Sequence, residues 1–314
     1  MSEDNRGVPD ATGPLGGLPP ADPTVLVEPP LELAVAEIRF LQAGAPLDAA
    51  AGLALRQGLA RAGYDLARME QVRQGQFEIN LAQGAAPESR LQALAAGWQL
   101  QDGRGLLQVT AMPESLVVQT TRYERWSTSM RPLLEAALGA AAEVIAPAGV
   151  ARIGLRYIDR FTDREARTPA AWRGRIHDSL LGAVCHPAFG AVVESAQQQV
   201  ELSLEPSAGA ILRHGPFRDP AEGGAVSYLL DIDVFDSEPR VFDVEAVIAR
   251  TQVLNRTAFS LFQSSLSAQY LHQLGAEVVG SSDADRDIYE DGDRALGEGA
   301  GRTDRRNGQE EVKE

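Results

Sequence analysis

The chain has 314 residues, 44% of them hydrophobic, with a formal charge of −15 at pH 7 and a pI near 4.8. That length and apolar content can supply a real core for one large domain or two modest ones. No stretch reaches the roughly eighteen uninterrupted apolar residues of a membrane-spanning helix, and the opening MSEDNRGVPD lacks the basic and apolar regions of a secretory leader.

Other compositional features narrow the field. Cys185 is the one cysteine, so an internal disulfide is excluded and a reducing cytoplasm is the expected location. Lysine is almost absent while Ala, Gly and Arg abound, which points to a GC-rich, bacterial genome. The overall acidity and the lack of any Lys/Arg run argue against binding to anionic membranes or duplex nucleic acid.

Residues 1–24 (with GVPDATGPLGGLPPADP) hold too little apolar surface to order themselves and are expected to be a disordered head. Residues 281–314 are an equally polar tail, with eleven acids against six bases. The head carries a net −3 and the tail −5; removing both from −15 leaves −7 on residues 25–280. The body is thus mildly acidic, and the tails serve solubility.

Within the body, LELAVAEIRF (31–40) reads as a strand. An amphipathic helix follows from Leu47 to Gly63, with Leu53, Leu55, Leu59 and Ala62 on its apolar side and Gly63 as its stop. A short strand is expected from Gln76 to Leu81. Trp98 to Thr121 reads as a meander turning at Asp102-Gly103 and Pro113-Glu114. Thr121 to Glu124 has capping-box spacing for a helix to about Ile145. Trp126, Met130, Leu133, Leu134, Ala137, Leu138 and Ala141 would line its buried side. Pro132 requires either a kink or a start near Ser129.

RIGLRYIDRF (152–161) is the central strand, followed by a short helix from Thr168-Pro169 to about Leu181. Strands are expected at 190–204, 210–214 and 226–235. Asp243 then caps a long helix towards Gly275, with Val247, Thr251, Leu254, Phe262, Leu266 and Leu271 as core candidates. The pattern is α+β: antiparallel sheets with helices on one face, divided into two similar halves at 25–165 and 166–280.

The central strand separates into two rows. Ile153, Leu155, Tyr157 and Phe161 form a core row interrupted by Asp159, and the other face carries Arg152, Gly154, Arg156, Ile158 and Arg160. Four strand residues span about 13 Å, so the arginines form a rail rather than one clamp. Gly154 leaves a slot in it. Glu37 and Arg39 share a face of the first strand, and pairing of the two strands would let Glu37 meet Arg156. The alternative is a cupped sheet in which Arg39, Arg156 and Arg160 bind a small carboxylate or phosphate, with Glu37 or Asp159 as acid/base. That alternative would make the chain an enzyme acting on a small anionic molecule.

Other groups carry less. Asp231, Asp233 and Glu201 suit a solvated strand face better than a cation site. The histidines (His177, His186, His214, His272) show no ligand spacing, and Cys185-His186 is adjacent rather than facing. Walker A, G-x-S-x-G and strand-following G-x-G-x-x-G patterns are absent. No cofactor or metal is expected. Tyr123 and Trp126, at i and i+3, read as core anchors, and Phe259, Phe262, Leu266 and Tyr270 as a core stripe that also suits self-association.

Glu37-Ile38-Arg39-Phe40, Tyr123 with Trp126, and Arg152-Ile153-Gly154-Leu155-Arg156-Tyr157-Ile158-Asp159-Arg160 occur in an order and spacing that resemble a bacterial family. That family is sporadically distributed and is marked by an early E-I-R-F strand, a Y-x-x-W helix start and a central R-I-G-L-R-Y-I-N-R strand. The resemblance covers about residues 25–275. Asp159 stands where the family more often has Asn. The family has no agreed activity, so the resemblance implies fold first. Its sporadic distribution implies an accessory gene, of the kind linked to defence or mobile elements. The combined expectation is a non-enzymatic binding protein acting through a protein partner, self-association or a small anionic ligand.

Overall fold

The computed structural model describes residues 13–22, 24–26, 29–41, 45–80, 88–218, 223–275 and 277–278. The acidic tail at 281–314 and residues 1–12 of the head lie outside the described residues, as does Leu81. In chain order the elements are β1 (Thr24–Val25), β2 (Leu31–Phe40), α1 (Ala49–Arg61), β3 (Arg68–Asn80), β4 (Glu88–Gln101), β5 (Leu107–Met112) and β6 (Ser115–Thr120). There follow α2 (Arg131–Val144), β7 (Gly149–Phe161), α3 (Asp178–Leu181), β8 (Gln198–Ser203), β9 (Ala208–Arg218), β10 (Val226–Asp236), β11 (Arg240–Val241), α4 (Val244–Ser265), α5 (Ala268–Gln273) and β12 (Glu277–Val278).

The larger sheet has ten strands and is antiparallel throughout, ordered β3-β4-β5-β6-β2-β7-β10-β9-β8 with β11 beside the start of β7. The expected α+β class is what the chain adopts. The expected halves share this one sheet, and the boundary near 162–170 falls between strands that it joins, β7 and β10. A recurrence in the topology does not follow that boundary: a central strand (β2, then β7) is followed by strands that start at a sheet edge and return inward (β3-β4-β5-β6, then β8-β9-β10), and a helix comes after each set (α2, α4).

Strand alternation explains the layering. Ala34, Ala36, Ile38 and Phe40 of β2, Ile153, Leu155, Tyr157 and Phe161 of β7, and Tyr228, Leu230, Ile232 and Val234 of β10 are buried on one face. On that face α4 packs over β7 and β10, α2 over β6, and α1 against α2 and β4. Leu133, Leu134, Ala137, Leu138 and Ala141 of α2 are fully buried, the stripe read from sequence. Each such leucine removed from water is worth about 2 kcal/mol.

Several boundaries differ from expectation. Asp48 caps α1, accepting from Ala51 N at 2.8 Å. The Thr121–Glu124 capping box does not form; a π-helical turn over Trp126–Met130 leads into α2, which places Pro132 in the first turn. β4 begins at Glu88, ten residues before Trp98, and meets β5 only over Trp98–Gln101, so the β3–β4 ribbon runs on beyond the sheet.

The helix expected to about Leu181 is instead a 3-10 turn at Pro169–Trp172 and the separate short α3, because Gly174 (φ +75) turns the backbone out of helical geometry between them. The strand expected from residue 190 begins only at Gln198, after a 3-10 turn at Gly190–Val192. The final helix breaks at Leu266. There the chain bridges to Ile176, and Ser267 caps α5 by accepting from Tyr270 N. Residues 13–22, expected to be unordered, lie along α4, and β1 pairs with β12.

Candidate functional site

Helices cover one face of the sheet; the opposite face at its centre carries the rail read from the sequence. Register sets the rows. Arg39 stands opposite Arg152, Glu37 opposite Gly154 and then Phe235, Val35 opposite Arg156 and then Asp233, and Leu33 opposite Ile158, Asp231 and Arg213. Two arginines directly opposed would repel. Glu37 lies between them: its Oε1 is 3.0 Å from Arg39 Nε and its Oε2 2.8 Å from Arg152 Nη1.

Arg152 reaches Glu37 by lying over Gly154. It also stands over the Phe235 ring, 5.1 Å from the centroid, and approaches Asp233 at 3.4 Å. The slot at Gly154 is therefore filled by a neighbouring side chain. With Glu37 taken, Arg156 turns to the adjacent strand, where Nε and Nη2 donate to the two Asp231 oxygens at 2.7 and 2.6 Å. The expected Glu37–Arg156 pair is replaced by Glu37–Arg152 and Arg156–Asp231, because β10 offers a carboxylate on the diagonal that suits a bidentate fork.

Arg213 of β9 adds a longer contact to Asp231, 3.6 Å, and its Nε donates to Gln199 Oε1. Arg160 pairs separately with Glu32 at 2.8 Å. Glu37 and Arg39 are thus brought together, whereas Arg156 and Arg160 each hold a different carboxylate.

The bonds from Asp231 hold the Arg156 guanidinium above its usual value, against a burial cost that acts the other way. The Asp231 side chain is 5% exposed and that of Arg156 42%, so the pair presents a cation anchored from below. Asp231 and Asp233, read as a solvated face, are the acidic half of this ladder; basic residues alternating on β7 at the same period were the available signal. Among the described residues no group of three or more His, Cys, Asp or Glu is arranged to hold a metal ion.

Beneath the rail, on the helix face, Asp159 is buried at 4% exposure. Tyr123 and Tyr157 meet edge to face with their hydroxyls 3.2 Å apart, and Tyr157 Oη donates to Asn255 Oδ1 of α4 at 2.8 Å. Burial, with repulsion from Asp231, pushes the Asp159 carboxyl up to about 8. Burial also pushes the Tyr123 phenol up to about 12 and raises the Tyr157 phenol well above its ordinary value. Burial thus favours the neutral form of Asp159. Tyr123 and Trp126 anchor the core as read, and Trp98 donates from Nε1 to the Leu47 and Asp48 carbonyls at the start of α1. No family model matches this chain, and no curated protein matches it.

Proposed function

We propose that the chain is a cytoplasmic, non-enzymatic accessory protein that binds a protein partner through the sheet face around Arg39, Arg156 and Arg213, which no helix covers among the described residues. The observation that carries this reading is the anchoring of the arginines. Each stands on a rigid strand with a carboxylate or amide fixing its fork, while a third or more of its side chain stays exposed: 57% for Arg39, 42% for Arg156 and 37% for Arg213. Donors held in this way lose little side-chain entropy on binding, and arginine is enriched where protein interfaces concentrate their energy. A small anion would need the same guanidiniums to be open to it together, and here Arg39 is directed to Glu37 while Arg156 and Arg213 both face Asp231. The motif resemblance around Arg152–Arg160 supports the accessory role.

The test is native mass spectrometry on the tagged full chain purified gently from its own host. A stoichiometric protein partner retained by the wild type and lost in Arg39→Glu/Arg213→Glu, with an unchanged melting temperature, supports the reading. Recovery of the chain alone in every preparation, or retention of the partner by that variant, sinks it.

A further inference from the structure

On the helix layer, away from the charged face, residues 13–22 occupy a row of side chains on α4. Leu15 N donates to Thr257 Oγ1 at 3.0 Å, Ser260 Oγ donates to Pro19 O at 2.7 Å, and Gln263 takes both peptide groups of Asp22 at 2.8 Å each. These three residues recur every third position, so they stand along one side of the helix. All four bonds read main chain. The one fully seated side chain is Leu15, 4% exposed.

Ser260 is the informative member. Thr251, Thr257 and Ser265 each return their hydroxyl proton to the carbonyl four residues back, the usual habit within a helix. Ser260 instead points its proton outward to the Pro19 carbonyl. Thr257, its own proton fixed on Val253 O, is left as an oriented acceptor for Leu15 N. The row is built to receive main chain, here a tight turn at Leu15–Gly17 followed by irregular backbone to Asp22. The segment on it, GPLGGLPPAD, is of a composition that does not order itself alone.

We propose that Thr257, Ser260 and Gln263 form a second docking surface, for a proline- and glycine-rich segment that turns at its one leucine anchor. The chain's own head fills it in cis, and a protein partner bearing such a segment takes it by displacing the head. Main-chain contacts and one leucine can be supplied by any segment of that chemistry. The head holds its place chiefly through the high effective concentration of a tethered ligand. This surface goes beyond the charged-face reading and does not depend on it.

The probe is a fluorescein-labelled peptide of residues 13–22, titrated into full-length chains and followed by anisotropy. Wild type should bind it weakly. Leu15→Asp, which unseats the head, should bind at least tenfold more tightly, and adding Gln263→Ala should reverse that gain. Lack of saturable binding to a Leu15→Asp chain with wild-type circular dichroism, or binding indifferent to Gln263→Ala, overturns the proposal. Should Leu15→Asp fail to fold, Leu15→Ala with a fivefold gain decides the matter in the same way. A wild-type dimer in sedimentation that Gln263→Ala dissolves would make the occupant a second copy's head and overturn the partner assignment. Loss of the partner in the charged-face variant bears only on the other surface, so the two readings fail separately.

Discussion

Arg152 lies across Gly154, with Nη1 2.5 Å from where a Cβ at that glycine would stand. Any side chain at 154 must therefore displace the guanidinium from its place above Phe235 and from Glu37, 2.8 Å away. The displaced group is the far end of a flexible side chain, so the backbone need not move. Gly154→Ala should cost about 1 kcal/mol, the worth of one partly exposed charged hydrogen bond. It should be nearly silent in an Arg152→Ala background. Urea unfolding of the four chains of that cycle provides the check; additive effects would mean that the two residues do not share one interaction.

Arg156→Ala is expected to destabilise rather than merely to remove a surface charge. Asp231 would be left almost wholly buried, with Arg213 at 3.6 Å as its remaining cation. A loss of about 2 kcal/mol follows, below the full value for a buried pair because Arg156 is partly in water. Asp231→Asn in the same chain should recover part of it. An arginine kept only for a ligand would leave the melting temperature unmoved, so differential scanning calorimetry separates the two roles.

The sheet was legible in the sequence where alternation is strong. β2, β5, β6, β7 and β10 stand where their apolar and polar rows predict. The start of β4 was not, since ESRLQALAAG has the composition of a helix and becomes a strand only by pairing with β3. The arginine row was visible as a row, but its partners were not. Which carboxylate an arginine takes depends on the register across three strands and on the bulge between Leu31 and Leu33, both long-range facts. Likewise Ser260 reads as one more polar residue on an amphipathic helix until the head is seen against it.

Asp236 should matter more than any single charge on the open face. Its side chain is fully buried and accepts from Arg240 at 2.5 Å, Arg250 at 2.6 Å and the Glu238 amide at 2.8 Å, tying the end of β10 to β11 and α4. Burial alone would raise its pKa, but the Glu238 amide and the two arginines outweigh it and hold the carboxyl below its ordinary value. A carboxyl depressed in the fold gives stability that is present above its unfolded pKa, near 4, and is lost as pH falls through the folded one. Asp236→Ala should cost about 3 kcal/mol at pH 7. The gap between variant and wild type should narrow in unfolding curves taken below pH 4; a constant gap would show that the charge is not what holds the three elements.

Asp159 works in the opposite sense. Burial first, and the Asp231 charge second, raise its carboxyl to about 8, far above the unfolded value of 3.8. Between those values the folded chain keeps a proton that the unfolded chain has released, so stability falls as pH rises, by up to about 1.4 kcal/mol per unit. The loss is complete above the folded pKa. Besides Asp231, the titratable groups in this electrostatic neighbourhood are Tyr123 and Tyr157, which are themselves raised by burial and stay neutral across the window. Asparagine keeps the shape and needs no proton. Asp159→Asn should therefore be more stable than wild type at pH 7 by about 2 kcal/mol, after allowing for the amide's own desolvation. The advantage should grow to pH 8 and vanish between about pH 5 and 6. Guanidinium unfolding of both chains from pH 4 to 9 tests this directly. A parallel pair of stability curves would show that the Asp159 carboxyl is ionised in the fold and has found a cation.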